Sequence, residues 1–343
     1  MRICLIGEYG ISPDESHKVT AWQLARSLGQ AHTVLPLDLG RWQRRSFWTR
    51  LRTFRPEIIH YVPGASLNSF LLVKLMSVCC PGASTVISAA RPSLSAFSIR
   101  FLPLLKAGLV LTQSPDTEKR LQARGLKTRF MPGGVDVNRF VPVAPGEKDL
   151  LKDKYGIGKG KPVLLHVGSI KPGRGVLALA EVQRARPDIQ VVVAGPVSVG
   201  YDQETKLRLE AAGCQVLLGY IERIEEIYGL ADCFIYPVVA LKDSSGRDIA
   251  DSAETALSVL EAMACNLPVI ATRFGALPRL FAEGDGFFFA EPKEFPQYIE
   301  KALGNNREIK TREKVTRYSW DNIGRQLEAI YRELRGSDEN KQG

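Results

Sequence analysis

Residues 251–272, DSAETALSVLEAMACNLPVIAT, decide how this chain is read. Ala256, Leu257, Leu260 and Ala264 recur at helical spacing, so residues 253–264 are expected to form a helix with one apolar face. The Pro-led run LPVIAT that follows has the composition of a short buried strand. Two glutamates, Glu254 and Glu261, lie seven apart, nearly on one helix face and about 10 Å from each other along the axis. That is too far for a shared proton and suits two separate groups of one extended ligand. On these residues alone, two solvated carboxylates on the outside of a packing helix fit at least as well. The polar KDSSGRDIADSA comes just before, and Asp251 or Ser252 could cap the helix. A loop feeding a helix N-terminus is a place for a phosphate.

Outward from this stretch, short Val/Ile/Leu-rich runs alternate with longer amphipathic ones. RICLIG, HTVLPLDL, EIIHYVPG, STVISAA and AGLVLTQS read as strands of a first unit. VLLHVGSI, IQVVVAG, CQVLLGYI, CFIYPV and LPVIATRFG read as strands of a second. Their apolarity is continuous rather than alternating, as in parallel strands buried on both faces. The Pro/Gly/Lys-rich VPVAPGEKDLLKDKYGIGKGKP, 141–162, separates the units. The expected architecture is α/β, two doubly wound Rossmann-like domains, with boundaries at 1–155 and 156–316. SWDNIGRQLEAIYRELRG closes as a helix expected to stop at Gly336, leaving a polar tail 336–343.

A length of 343 residues suits two such domains. No apolar stretch reaches the roughly 18 residues that span a bilayer, and MRICLIGEYG lacks a signal-cleavage pattern, so cytoplasm is the expected location. The six cysteines are scattered, with no C-x-x-C, which argues against zinc and disulfides alike. Residues 1–110 carry 13 Lys+Arg against 5 Asp+Glu, and the other 233 residues are nearly balanced at 33 against 32. Such a basic first third attracts anionic partners. Within it, GRWQRRSFWTRLRTFRP, 40–56, holds six arginines, and as a helix lines up Phe47, Leu51 and Phe54. That stripe fits either an interfacial helix on anionic lipid or a layer helix packed on the sheet with solvated arginines. No nucleic-acid reading motif accompanies the charge, so no nucleic-acid partner is expected.

HVGSIKPGRGV, 166–176, is a strand ending at Gly168, a Gly/Pro-rich loop and a helix start. Backbone N–H groups there can face an anion, and Lys171 and Arg174 add full positive charge. Pyrophosphate is the natural guest. The spacing matches neither the dinucleotide fingerprint nor the Walker sequence, and a plain strand–helix turn with solvated cations fits equally.

MPGGVDVNRFVP, 131–142, closely resembles the pnGVDxxrFxP segment of retaining glycosyltransferases of family 4, which have the GT-B fold. RPEIIHYVPG, LTQSPDTEKRLQARG, HVGSIKPGRGV, VLLGYIERIEEIYGLADCFIYPV, VLEAMACNLPVIATRFGALPRLF and YSWDNIGRQLEAIYREL are similar to further elements of that family, in order, over about 60 to 332. The resemblance implies transfer of a sugar, with retention, from a nucleoside diphosphate-sugar to an acceptor hydroxyl. It implies no cofactor and, with no Asp-x-Asp pattern, no metal. The acceptor is expected to be a glycan or lipid-linked sugar, with peripheral contact between the basic N-terminal domain and anionic membrane. It also implies that the closing helix, about 317–335, packs back on the first domain.

By the same resemblance Glu261 holds the nucleotide ribose and Arg174 meets the diphosphate, in place of a family lysine. Leu257 and Ser258 offer backbone N–H groups to the phosphates, Tyr220 and Ile221 line the base, and Gly10 brings backbone close to donor and acceptor. Gly168, Ser169, Gly195 and Gly219 complete the donor set. The family's two glutamates are offset by eight, and eight before Glu261 stands Ala253, with Glu254 one position away. Glu254 is the candidate to contact the transferred sugar, with Asp248 and Asp251 as alternatives. Ser169 stands where a phosphate-binding Arg is usual, so Lys171 is expected to supply the second cation. Ala89 or Ala90 stands where relatives often carry a histidine, with Arg91 as a substitute, and His60 is expected to be structural. These departures leave a second reading, a nucleotide-sugar-binding protein of the same fold without turnover.

Overall fold

The computed structural model describes the chain except for residues 11–15, 91, 95–99, 106, 198–199, 240–252, 305–307 and 340–343. Twelve strands form two six-stranded sheets, and every recorded strand pairing is parallel. The first sheet contains β1 (Arg2–Gly7), β2 (Thr33–Asp38), β3 (Ile58–Tyr61), β4 (Ser84–Ala89), β5 (Leu109–Thr112) and β6 (Thr128–Phe130). Its order is β2-β1-β3-β4-β5-β6. The second contains β7 (Val163–Val167), β8 (Gln190–Gly195), β9 (Gln215–Leu218), β10 (Cys233–Tyr236), β11 (Val269–Ala271) and β12 (Phe287–Phe289), in the order β12-β11-β10-β7-β8-β9. The order in which strands are added reverses between β1 and β3 and again between β7 and β10. Ligands of such sheets sit beyond the carboxyl ends of the strands at these switch points.

Side chains along one strand alternate between faces, and the core divides accordingly. Ile3 and Leu5 enter an apolar cluster that continues into the second domain, whereas Cys4 and Ile6 enter one confined to the far face of the first sheet. A third cluster, with Leu164, Val191 and Ile235, covers the outer face of the second sheet. All ten strands expected from the sequence form. β6 and β12 were not foreseen: Thr-Arg-Phe and Phe-Phe-Phe lack the Val/Ile/Leu run by which the other strands, the equally short β11 among them, were read. The six thiols are free, as expected.

Two expectations, on helix bounds, need correction. The helix expected over 253–264 runs only over Leu257–Ala264. The residues before it are extended because Glu254 N–H donates to Ala90 O (2.8 Å) and Ala276 N–H donates to Glu254 O (2.8 Å). The caps Asp251 and Ser252 lie outside the described residues. Within the separator read over 141–162, Pro145–Lys154 forms a helix that packs on the second domain: Lys148 and Lys152 both reach Asp232 (3.0 and 3.4 Å). The closing helix, Trp320–Glu339, continues through Gly336. One glycine costs a helix only about 1 kcal/mol, and the last turns of a 20-residue helix carry it. In the helix Arg45–Phe54, Phe47 and Leu51 are buried in the core, so of the two readings of the aromatic stripe the one packed on the sheet holds.

Chain crossings join the domains. Val135 N–H donates to Tyr318 O (3.0 Å) and Trp320 N–H to Val135 O (3.1 Å), pairing the outgoing and returning segments. The closing helix then returns to the first domain, where Tyr331 OH lies 2.6 Å from His60 Nδ1 and Ser88 Oγ lies 2.8 Å from His60 Nε2. His60 is therefore structural, as expected from the sequence. Tyr331→Phe leaves one imidazole nitrogen buried without its partner, an expected loss of about 1–3 kcal/mol in urea denaturation. Burial also pushes the pKa of His60 down to about 3 and that of His166 to about 4. Unfolded, both titrate near 6.5, so below that pH the unfolded chain binds more protons than the folded one. Stability is expected to fall from about pH 7 to about pH 5, by on the order of 1 kcal/mol per pH unit per histidine below the unfolded pKa. A flat urea midpoint across that window would refute burial of these imidazoles in neutral form.

Candidate functional site

A cavity of about 250 Å³ opens where residues after β1 meet the carboxyl ends of β7, β8, β9 and β10. From the second domain it is lined by Gly168, Ser169 and Arg174 after β7, and by Gly195 at the end of β8. Gly219, Tyr220 and Ile221 after β9 extend the wall, and Leu257, Ser258 and Glu261 close it. These ten are the sequence-expected donor residues that the fold brings together. Ser16, His17 and Val19, at the start of the first long helix, form the opposite wall.

The loop after β7 is shaped by backbone constraints. Lys171 begins a 3-10 turn over Pro172–Arg174, and Gly175 follows with φ +69°. A Cβ at Gly175 would fall 2.2 Å from the carbonyl oxygen of Pro237 in addition to that left-handed strain, so only glycine fits. The turn brings the Arg174 guanidinium to the cavity wall. Lys171 is half-buried but does not line the cavity.

The helix Leu257–Ala264 points its N-terminus at the same space. Ala256 precedes it and makes no side-chain cap, while Val259 and Leu260 N–H both return to Ala256 O. The N–H groups of Leu257 and Ser258 have no intrahelical acceptor, and the helix dipole adds partial positive charge there. One turn on, the Glu261 carboxylate is held by Tyr228, whose buried hydroxyl donates to Oε2 at 2.7 Å. Burial raises the Glu261 pKa, opposed by that hydrogen bond and by the charge of Arg139. Burial and the neighbouring Glu261 charge push the Tyr228 pKa well up, so its proton stays available for donation.

Glu254 takes a different place. Its carboxylate accepts from Ser114 Oγ (2.7 Å) and from Thr117 Oγ1, at the N-terminus of the first-domain helix Pro115–Gln122. Glu254 does not line the cavity, whereas Ala253 does. One residue of extended chain turns a side chain to the opposite side, so the glutamate one position from the expected offset faces the first domain. Gly10 is exposed and also lies outside the lining. Asp248, Asp251 and Arg91 fall outside the described residues.

Three site residues were not legible as such. His17 reaches the cavity with Nε2 3.2 Å from Glu8 Oε2. Thr255 lines it while its hydroxyl accepts from Gly133 N–H (3.2 Å), tying the MPGG segment to the cavity floor. His166, the penultimate residue of β7, lines it as well. No spacing rule marks any of the three. Glu254→Gln is expected to lower stability by about 1–2 kcal/mol through its interdomain hydrogen bonds while leaving nucleotide affinity within about threefold. Urea denaturation and calorimetry on the one variant test both halves.

Comparison with known proteins places this geometry. Residues 147–320 match the family model described as glycosyl transferases group 1. A GDP-mannose-dependent monoacylated alpha-(1-6)-phosphatidylinositol monomannoside mannosyltransferase of Corynebacterium glutamicum is 32% identical over 162 residues, 46% of this chain and 41% of that protein. A D-inositol 3-phosphate glycosyltransferase of Geodermatophilus obscurus is 28% identical over 226 residues, 60% of this chain and 47% of that one. The chain thus spans less than half the length of these two relatives. Among solved structures, a glycosyltransferase from Rickettsia africae superposes with TM-score 0.75 at 17% identity, covering 97% of this chain and 98% of that one. Anabaena Alr3699/HepE in complex with UDP and glucose superposes with TM-score 0.71 at 15% identity, covering 96% and 98%. At those identities the likeness shows the fold, the two-domain GT-B arrangement.

Proposed function

Because the chain belongs to the glycosyl transferases group 1 family, we propose that it moves a sugar from a nucleoside diphosphate-sugar to an acceptor hydroxyl with retention at the anomeric carbon. One observation carries the reading: Arg174, the uncapped start of the helix Leu257–Ala264 and the Glu261 carboxylate converge on a single cavity. A cation and free backbone N–H groups suit a diphosphate, and a carboxylate one helical turn away suits the ribose hydroxyls. The diphosphate would leave from the face on which the acceptor attacks. Arg174, with Lys171 nearby, and the Leu257 and Ser258 N–H groups would stabilise the charge that develops on it. In this reading no metal takes part. Tyr220, half-exposed beyond Gly219, would cover the base at the mouth. The relatives' names point to acceptors bearing inositol phosphate or its lipid, and a phosphorylated or lipid-linked acceptor suits the basic first domain.

Calorimetry with UDP, GDP and ADP, each in EDTA and in Mg²⁺, tests the donor site. One nucleotide is expected to bind in EDTA, and Glu261→Ala is expected to weaken it tenfold or more. Arg174→Ala is expected to lower kcat more than it raises KM, since charge on the diphosphate peaks in the transition state. No binding of any nucleotide would sink the proposal.

A peripheral membrane contact rests on a different surface. Residues 39–115 hold ten Lys+Arg and a single acid, Glu57. The helices Arg45–Phe54 and Leu67–Cys79 cover the same sheet face and meet where Arg52 Nη2 lies 3.6 Å from Cys79 Sγ. Their outer sides expose Arg45, Arg50 and Arg52 beside Leu71, Leu75 and Val78. Leucines at i and i+4 and valine at i+7 form one exposed stripe, so the apolar element of such a contact is this second helix rather than the aromatic first. No helix among the described residues is long and apolar enough to cross a membrane. Sedimentation with vesicles is expected to show binding to anionic phosphatidylglycerol, weakened by salt and by Leu75→Glu, and little binding to neutral phosphatidylcholine.

A further inference from the structure

His166 is 1% exposed and occupies the last turn of chain before β7 opens into the Gly168–Arg174 loop. Its Nδ1 lies 3.0 Å from the carbonyl oxygen of Ile235. A carbonyl only accepts, so Nδ1 carries the proton, and in the neutral ring Nε2 carries a lone pair. That Nε2 is buried and has no hydrogen-bond partner among the described residues. The residue lines the same cavity as Arg174 and Glu261. A Cβ at Gly168 would fall 2.9 Å from Nε2, so any side chain there would crowd the nitrogen that glycine leaves clear. Burial and the nearby charge of Arg174 disfavour the imidazolium, with the pKa lowered to about 4.

The cavity is thus asymmetric in hydrogen-bonding character. Arg174 and the backbone N–H groups at the start of the helix Leu257–Ala264 are donors, suited to phosphate oxygens. A neutral imidazole presenting a lone pair is a poor neighbour for an oxyanion and a good one for an O–H or N–H. Leaving a buried acceptor without a donor is unfavourable, so a ligand that supplies one is selected over a ligand that does not.

We propose that His166 Nε2 accepts a hydrogen bond from an uncharged O–H or N–H of the bound nucleotide-sugar, and so distinguishes its nucleoside and sugar parts from the bare diphosphate. This inference rests on the donor-site reading above. His166 acts as a specificity residue that senses the uncharged parts of the donor, while Arg174 senses its charge.

The test uses the full chain and two measurements. In the wild type, the Nε2 resonance of ¹⁵N-histidine-labelled protein, assigned by its loss in His166→Phe, is followed while UDP, GDP or ADP, whichever binds, is added, and separately while pyrophosphate is added. The resonance is expected to move toward the hydrogen-bonded position with the nucleotide and to stay in place with pyrophosphate. By calorimetry, His166→Phe is expected to bind the nucleotide or its sugar about tenfold more weakly and pyrophosphate within about twofold. Comparing the nucleotide, its 2′-deoxy form and the nucleotide-sugar locates the donor group on ribose, base or sugar. An unmoved Nε2 resonance at saturating nucleotide-sugar overturns the inference and leaves the donor site standing. An equal shift with pyrophosphate also overturns it. Absence of any nucleotide binding to the wild type overturns the donor site and the inference together. The resonance is read in unmutated protein and, among only four histidines, can also be assigned by elimination from His17, His32 and His60 variants, so a His166→Phe protein that fails to fold does not block the decision.

Discussion

Two backbone hydrogen bonds, from Val135 to Tyr318 and from Trp320 back to Val135, hold the outgoing and returning crossings side by side. Everything at the cleft depends on that pairing, because it sets how the carboxyl edges of two separate sheets face each other. The surrounding contacts leave little room for slack. A Cβ on Gly134 would fall 2.7 Å from the Trp320 ring, and one on Gly133 would fall 2.7 Å from Leu257 Cδ2. Arg312 reinforces the junction by donating to Val137 O and Phe140 O, both at 2.8 Å. The GG pair is therefore a close-packing device: the crossing touches the first residue of the helix whose N-terminus lines the cavity.

A second set of contacts joins the domains beside the cavity. Glu254 accepts from Ser114 and Thr117, and Arg279 reaches Glu118 at 2.6 Å while stacking over Phe130. Each partner on the first-domain side belongs to the helix Pro115–Gln122, its cap or the adjoining strand β6. The polar residues near the cavity thus divide between two tasks. Glu254 serves the junction, and Glu261, seven positions on and held by Tyr228, serves the cavity.

Ten strands were legible because parallel strands buried on both faces are written as continuous apolar runs. The closing helix and the 166–176 loop were legible for similar local reasons, periodicity in one and glycine with cations in the other. β6 and β12, Thr-Arg-Phe and Phe-Phe-Phe, lacked the Val/Ile/Leu run that marked even the three-residue β11. The helix Pro145–Lys154 was read only as part of the separator because its Lys- and Pro-rich composition resembles a linker, while its anchor, Asp232, lies about 80 residues away. The arginine-rich helix was ambiguous for a different reason. One aromatic stripe serves a sheet or a lipid surface equally, and burial of Phe47 and Leu51 decides for the sheet.

By itself the sequence determined the α/β architecture, since each strand and helix is carried by residues close together in the chain; it singled out Glu261 only through the family resemblance, its own residues fitting a solvated carboxylate as well. Only the tertiary structure decided which way Glu254 turns, because its rotation follows from backbone bonds to Ala90 and Ala276, far away in sequence. Only it brought His17 and His166 to one cavity from different domains. A hydrogen bond or a shared cavity wall depends on distance in space, and local periodicity carries no information about which distant atom will be the partner.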